Sequence, residues 1–226
     1  MAKPGKNKEL TPFQTKRLQE FNSVREELLA KGFTEKHLTV SMLKANLVAF
    51  VMAFPIALVL YLLYLVVNGT GQQGSGPRFL FIVLFLLGIV LHELIHGAVF
   101  AAFAKDKWRA VRFGIHWPTL TPYCSCVEAL SLPKYVLICA MPTIILGLLP
   151  YFIGLAFGLS TLAYFGLLFI FAGGGDAYIL WMIRKERQGL ILDHPYLVGC
   201  VVFSPKLSDS CSTPVPAGQR SDVNLN

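Results

Sequence analysis

Four apolar runs, residues 46–67, 79–104, 136–158 and 161–183, constrain this chain more than any other feature. At about 1.5 Å of rise per helical residue, some 20 residues cross the roughly 30 Å hydrocarbon core of a bilayer. Each run meets that length. The sequence is 54% hydrophobic and only 15% charged, against about 25% charged for a soluble domain. These features predict an all-α membrane protein of about four transmembrane helices. The first 44 residues are polar and charged, so the first run comes too late to be the apolar segment of a secretory signal peptide.

The second run holds Leu91-His92-Glu93-Leu94-Ile95-His96. A helix places His92 and His96 one turn apart on one face, with Glu93 beside them. This is the H-E-x-x-H spacing, in which two imidazoles bind zinc and the glutamate manages the proton of a zinc-bound water. A pair of core histidines is the plainer alternative. It is weakened by the cost of an ionisable group at membrane depth, about 2.5–3.5 kcal/mol on insertion scales.

Across the four runs, the only Asp, Glu, Lys, Arg or His residues are His92, Glu93, His96 and Asp176. Groups of this kind pair with one another rather than face lipid. His96 lies about eight residues from the end of the second span, and Asp176 about as far from the end of the fourth. Both spans run in the same direction, so the two sites can meet at one level. Asp176 follows Gly173-Gly174-Gly175, which permit close helix approach and local unwinding. It therefore completes a His92, His96, Asp176 ligand set for Zn2+, with Glu93 as general base. The plainer alternative is that Asp176 only structures the glycine break. Rival third ligands are Glu128, His116, Asp193 and His194, all in loops, and Asp193-His194-Pro195 also fits a turn or cap.

The 31-residue loop 105–135 is too long to be idle. Val111, Phe113, Ile115 and Trp117 alternate with Arg112, Gly114 and His116, the pattern of a half-buried strand. Residues 123–128 return as a second strand, giving a small β-hairpin at the membrane surface, with an edge on which an extended substrate can add. Before the first span, Thr11, Pro12 and Gln14 read as a helix start and Gly32 as its stop. That helix either lies on the membrane or packs on the protein's own cytosolic side. Residues 1–10 read as mobile and the connector 68–78 as flexible. The chain divides into a cytosolic segment 1–44, a membrane domain 45–203 and a disordered tail 204–226.

The net charge of +7 has a topological explanation. Nine lysines and arginines precede the first span, five separate the second from the third, and Arg184, Lys185 and Arg187 follow the fourth. The other two connectors hold only Arg78. The positive-inside rule then places both termini and the hairpin loop in the cytosol of a multi-pass cell-membrane protein. The bases form no single stripe, which argues against nucleic acid and for contact with the lipid bilayer. Five scattered cysteines make no disulfide framework, and Cys124-Ser125-Cys126 alone is a weak metal signal.

The stretches 92–97, 113–117 and 120–123, with Met141-Pro142 and Gly174-Gly175-Asp176, resemble the bacterial putative-zincin family of multi-pass membrane metallopeptidases over roughly residues 35–203. More distantly the chain is similar to site-2-type intramembrane metalloproteases. The resemblance implies a zinc-dependent endopeptidase cutting a membrane or membrane-associated protein, with His92, His96 and Asp176 as ligands and Glu93 as the catalytic group. Two other readings stay open on the residues alone. One is a catalytically silent zincin-like protein that binds metal or a partner. The other is a transporter, for which polar groups on both membrane halves or inverted repeats are expected.

Overall fold

The computed structural model describes residues 12–70 and 78–206. The expectations for Thr11, for residues 1–10, for most of the 68–78 connector and for the tail beyond 206 lie outside them. In chain order the elements are α1 (Pro12–Ala30), β1 (Phe33–Val40), α2 (Met42–Asn68), α3 (Arg78–Phe103), β2 (Val111–His116), β3 (Thr121–Cys126), β4 (Leu130–Ser131), α4 (Leu132–Pro142), α5 (Leu149–Phe157), α6 (Ser160–Ala172), α7 (Gly174–Ile183), β5 (Leu190–Asp193) and β6 (Val198–Pro205). A π-helical segment, Thr143–Leu148, joins α4 to α5.

Three helical stretches are long and apolar enough to cross a membrane: α2, α3 and the α4–α5 run. Helices α6 and α7, bent by 43° at the break at Gly173, are together long and apolar enough to make a fourth. Helix α2 starts at Ser41, whose hydroxyl accepts the Lys44 N–H, and stops at Gly69 with φ +71°. Along it only Ala45, Ala53 and Tyr64 are buried. Its large aliphatic side chains point outward, as do those of α3 away from the motif. So broad an apolar surface is stable against lipid and not against water.

Small residues set the distances between helices. A methyl at Gly154 would stand 2.4 Å from the backbone nitrogen of Ala163, and one at Gly166 would stand 2.5 Å from that of Tyr151. Backbone meets backbone there, which brings α5 and α6 into direct apposition.

The hairpin forms as expected, with β2 and β3 in antiparallel register from Val111↔Cys126 to His116↔Thr121. The Phe113 ring rests where a Gly97 side chain would be, so the hairpin lies alongside α3. The sequence reading had no second sheet, yet a four-stranded antiparallel sheet is present in the order β1-β6-β5-β4. Strand β6 alternates between two burial environments. Val201 and Phe203 pack with Leu192 beneath Phe21 and Leu28 of α1. Cys200 and Val202 pack with Ile191 against Phe100, Ala104, Ile138 and Ile183 at the ends of the spans. The sheet is thus a layer between α1 and the membrane helices. Of the two placements open for the first helix, packing on the protein is the one observed. Strand β1 pairs with β6 from Phe33↔Pro205 to Val40↔Val198, which joins the N-terminal segment to the end of the described chain.

Candidate metal centre

Helix α3 carries a buried stripe at i, i+4 and i+8, formed by His92, His96 and Phe100, while Leu91 and Leu94 face outward. Two glycines adjust its approach to neighbours. At Gly88, one turn before His92, a methyl would meet the Phe169 ring of α6 at 2.4 Å. That ring is buried and stacks beside the His92 imidazole at 6.4 Å between centroids. It closes one side of the site with hydrocarbon.

Asp176 arrives from α7, in the first turn after the bend at Gly173. Its Oδ2 lies 3.1 Å from His92 Nε2 and its Oδ1 lies 3.3 Å from His96 Nε2. The two imidazoles stand 4.9 Å apart at 73°. One ligand atom from each of the three side chains lies within 4.8 Å of the others. Among the described residues, no other group of three histidine, cysteine or acidic side chains converges in this way.

Glu93 is half-buried on the neighbouring face, beside both imidazoles and Asp176. The backbone of Cys124 on β3 lies close enough to act electrostatically on its carboxylate. There β3 reaches the site.

The rival ligands have structural employment. Glu128 accepts the backbone N–H groups of Lys105 and Asp106, each at 2.8 Å, and so closes the turn after α3. His116 pairs with Thr119 Oγ1 at 2.7 Å inside the hairpin turn. Asp193 accepts the Cys126 N–H at 2.8 Å and the Tyr135 hydroxyl at 2.6 Å, tying β3 to α4. Burial raises the Asp193 carboxyl above its usual range, opposed by those two donors. His194 Nδ1 accepts the N–H groups of Tyr196 and Leu197, which makes it a turn cap. Of the Cys-x-Cys pair, Cys126 is pushed up to about 12, chiefly by burial. Burial also raises Cys124, helped by the Glu93 carboxylate.

Three further contributors carried no readable sequence signal. The Ile138 carbonyl accepts from His96 Nδ1 at 3.0 Å. Arg17 of α1 donates to Tyr123 Oη at 2.9 Å and Ser125 Oγ at 3.1 Å on β3. Glu20 of α1 pairs with Arg112 on β2 at 2.8 Å. Helix α1 therefore clamps the hairpin beside Glu93.

A family model described as "Putative zincin peptidase" matches residues 85–191, a stretch that contains His92, Glu93, His96, the hairpin and Asp176. Over that stretch, just under half of its length, the chain is similar to this family. Comparison with curated proteins and with solved structures finds no match. Zincin peptidases imply zinc, and the residues fit it. Two imidazole nitrogens and a carboxylate are a borderline-soft donor set suited to a divalent zinc ion. The buried Nδ1 of His92 has no hydrogen-bond partner among the described residues, while its Nε2 faces Asp176.

Proposed function

We propose that this protein is a zinc-dependent, membrane-embedded endopeptidase that hydrolyses peptide bonds near the cytosolic face of the cell membrane. The observation that carries the reading is the convergence of the His92, His96 and Asp176 ligand atoms within 4.8 Å, from two different spans. His92, His96 and Asp176 would hold the ion. When bound, zinc supplies a water acidified toward pKa ~7 and polarises the scissile carbonyl.

The remaining chemistry belongs to the chain. A Glu93 carboxylate oxygen takes the proton of the attacking water and returns it to the leaving amine nitrogen. Phe169 and the other apolar walls exclude bulk water, which strengthens each charge interaction inside. The hairpin offers strand edges on which an extended segment of a membrane or membrane-associated protein can lie, with main-chain hydrogen bonds holding it beside Glu93. The positive-inside pattern supports a cytosolic location for both termini, the hairpin and the sheet.

Glu93→Gln tests the mechanism. The variant should retain zinc, since Glu93 is not among the proposed ligands, and should lose cleavage of a peptide that the wild-type protein cuts. Cleavage by the variant at the wild-type rate would remove Glu93 from the reaction. A zinc-loaded wild type that cuts no member of a broad peptide library would favour the silent metal- or partner-binding reading instead.

A further inference from the structure

Helix α4 contributes no side chain to the site, yet it touches it. In an uninterrupted helix the Ile138 carbonyl accepts the N–H of residue 142. Residue 142 is proline, which has no N–H to give. The next donor does not fill the gap, because the Thr143 N–H turns to the Ala140 carbonyl. From there the chain continues in π-helical form to Leu148. Ile138 is 1% exposed. A buried carbonyl without a donor at membrane depth costs several kcal/mol. The donor present is His96 Nδ1–H, at 3.0 Å.

We propose that Pro142 is a positioning residue of the metal centre, which frees the Ile138 carbonyl to hold His96 in the form that keeps its proton on Nδ1 and turns Nε2 toward the metal position beside Asp176. This inference rests on the zinc-site reading above and deepens it. A metal-binding imidazole is fixed in tautomer and orientation by what its other nitrogen touches. Here that partner is a main-chain oxygen, released by a missing N–H one turn further along. The ordinary alternative is that Pro142 serves only to bend the third span. The two differ in a measurable way, since a bend alone places no constraint on His96 Nδ1.

The test uses the full chain in lipid nanodiscs with 15N-labelled histidine, the His96 signals being assigned by their loss in His96→Gln. In the wild type, Nδ1 should carry a proton that exchanges slowly with water, both without metal and with zinc. In Pro142→Ala, the restored N–H competes for the Ile138 oxygen. The Nδ1 proton should then exchange faster, and zinc affinity, read by chelator competition, should fall by about 10–100-fold. An Nδ1 without a proton in the zinc-loaded wild type overturns the proposal, and does so even if Pro142→Ala fails to fold. Equal exchange and equal zinc affinity in the variant overturn it as well. A wild type that shows the protected Nδ1 proton but binds no zinc would refute the metal-site reading while leaving the Pro142–Ile138–His96 contact standing.

Discussion

The three glycines before Asp176 offer a graded perturbation, because the space around each is different. A methyl at Gly173 would lie 2.1 Å from Thr143 Oγ1 and 3.2 Å from Thr143 Cβ. Non-bonded heavy atoms are at rest near 3.5–4.0 Å, so relief requires a movement on the order of 1 Å. Rotation of the Thr143 hydroxyl supplies part of it, and the Cβ contact remains. Overpacking of this kind costs about 1–3 kcal/mol. A methyl at Gly174 would meet the Ala49 carbonyl oxygen at 2.9 Å and Ala53 Cβ at 3.0 Å. Backbone cannot rotate away, so α2 must shift, at a cost in the same range. A methyl at Gly175 meets nothing within 4 Å, and alanine there should gain about 0.5–1 kcal/mol from reduced backbone entropy. The order of thermal stability in detergent should therefore be Gly175→Ala at or above wild type, with Gly173→Ala and Gly174→Ala below it. Displacement of the α7 start also moves Asp176, and an error near 1 Å in a reacting constellation costs about 10²-fold in rate. Peptide cleavage and zinc affinity should follow the same order. Adding Thr143→Ala should recover part of the loss in Gly173→Ala and none of it in Gly174→Ala. Damage by Gly175→Ala equal to that by Gly173→Ala would refute the reasoning, since it would make flexibility rather than space the reason for the triplet.

Asp176→Ala should sharply lower the zinc content of the purified protein, and an unchanged stoichiometry by elemental analysis would return the third-ligand role to a loop residue. Tyr135→Phe removes the donor to Asp193 Oδ1 and should destabilise the protein by roughly 1.5–3 kcal/mol, seen in unfolding and as faster amide exchange in β3. His194 is held down to about 4 by burial, with His37 and Arg17 adding to the effect, against an ordinary value of 6.5. Its folded-state value lies below its unfolded one, so protons bind the unfolded chain first, and stability should decline as pH falls from about 6.5 through 4. His194→Asn retains an acceptor for the two turn amides and should flatten that part of the melting-temperature profile.

The four ionisable groups of the spans were legible because hydrocarbon makes each one conspicuous, and the structure brings all four together. The hairpin was legible from the alternation at 111–117. The larger sheet was not. Residues 199–203, Gly-Cys-Val-Val-Phe, are buried on both faces, so they carry no alternation to separate a strand from a short helical segment. Their partner β1 lies more than 150 residues away, and pairing at that distance leaves no local trace. The glycine run announced a break before Asp176, though its spacing was silent on which glycine meets Thr143 and which meets α2. The Ile138 carbonyl was beyond reach for a different reason, since main-chain groups have no letter in a sequence and only the proline that releases one is visible.

Strand β1 is at the sheet edge, and its ladder runs to β6 alone. On the ribosome, therefore, strand β1 waits with empty bonds until residues past 198 emerge, after all the apolar helices have been made. Only then can β1 and β6 close like a clasp and complete the sheet against which α1, with its Arg17 and Glu20 on the hairpin, is packed. A nascent chain halted before that point carries its imidazoles and carboxylates at the right depth, with the hairpin still untethered by α1 above Glu93. Full tethering of the hairpin beside the metal-binding side chains is thereby deferred until β6 has been made.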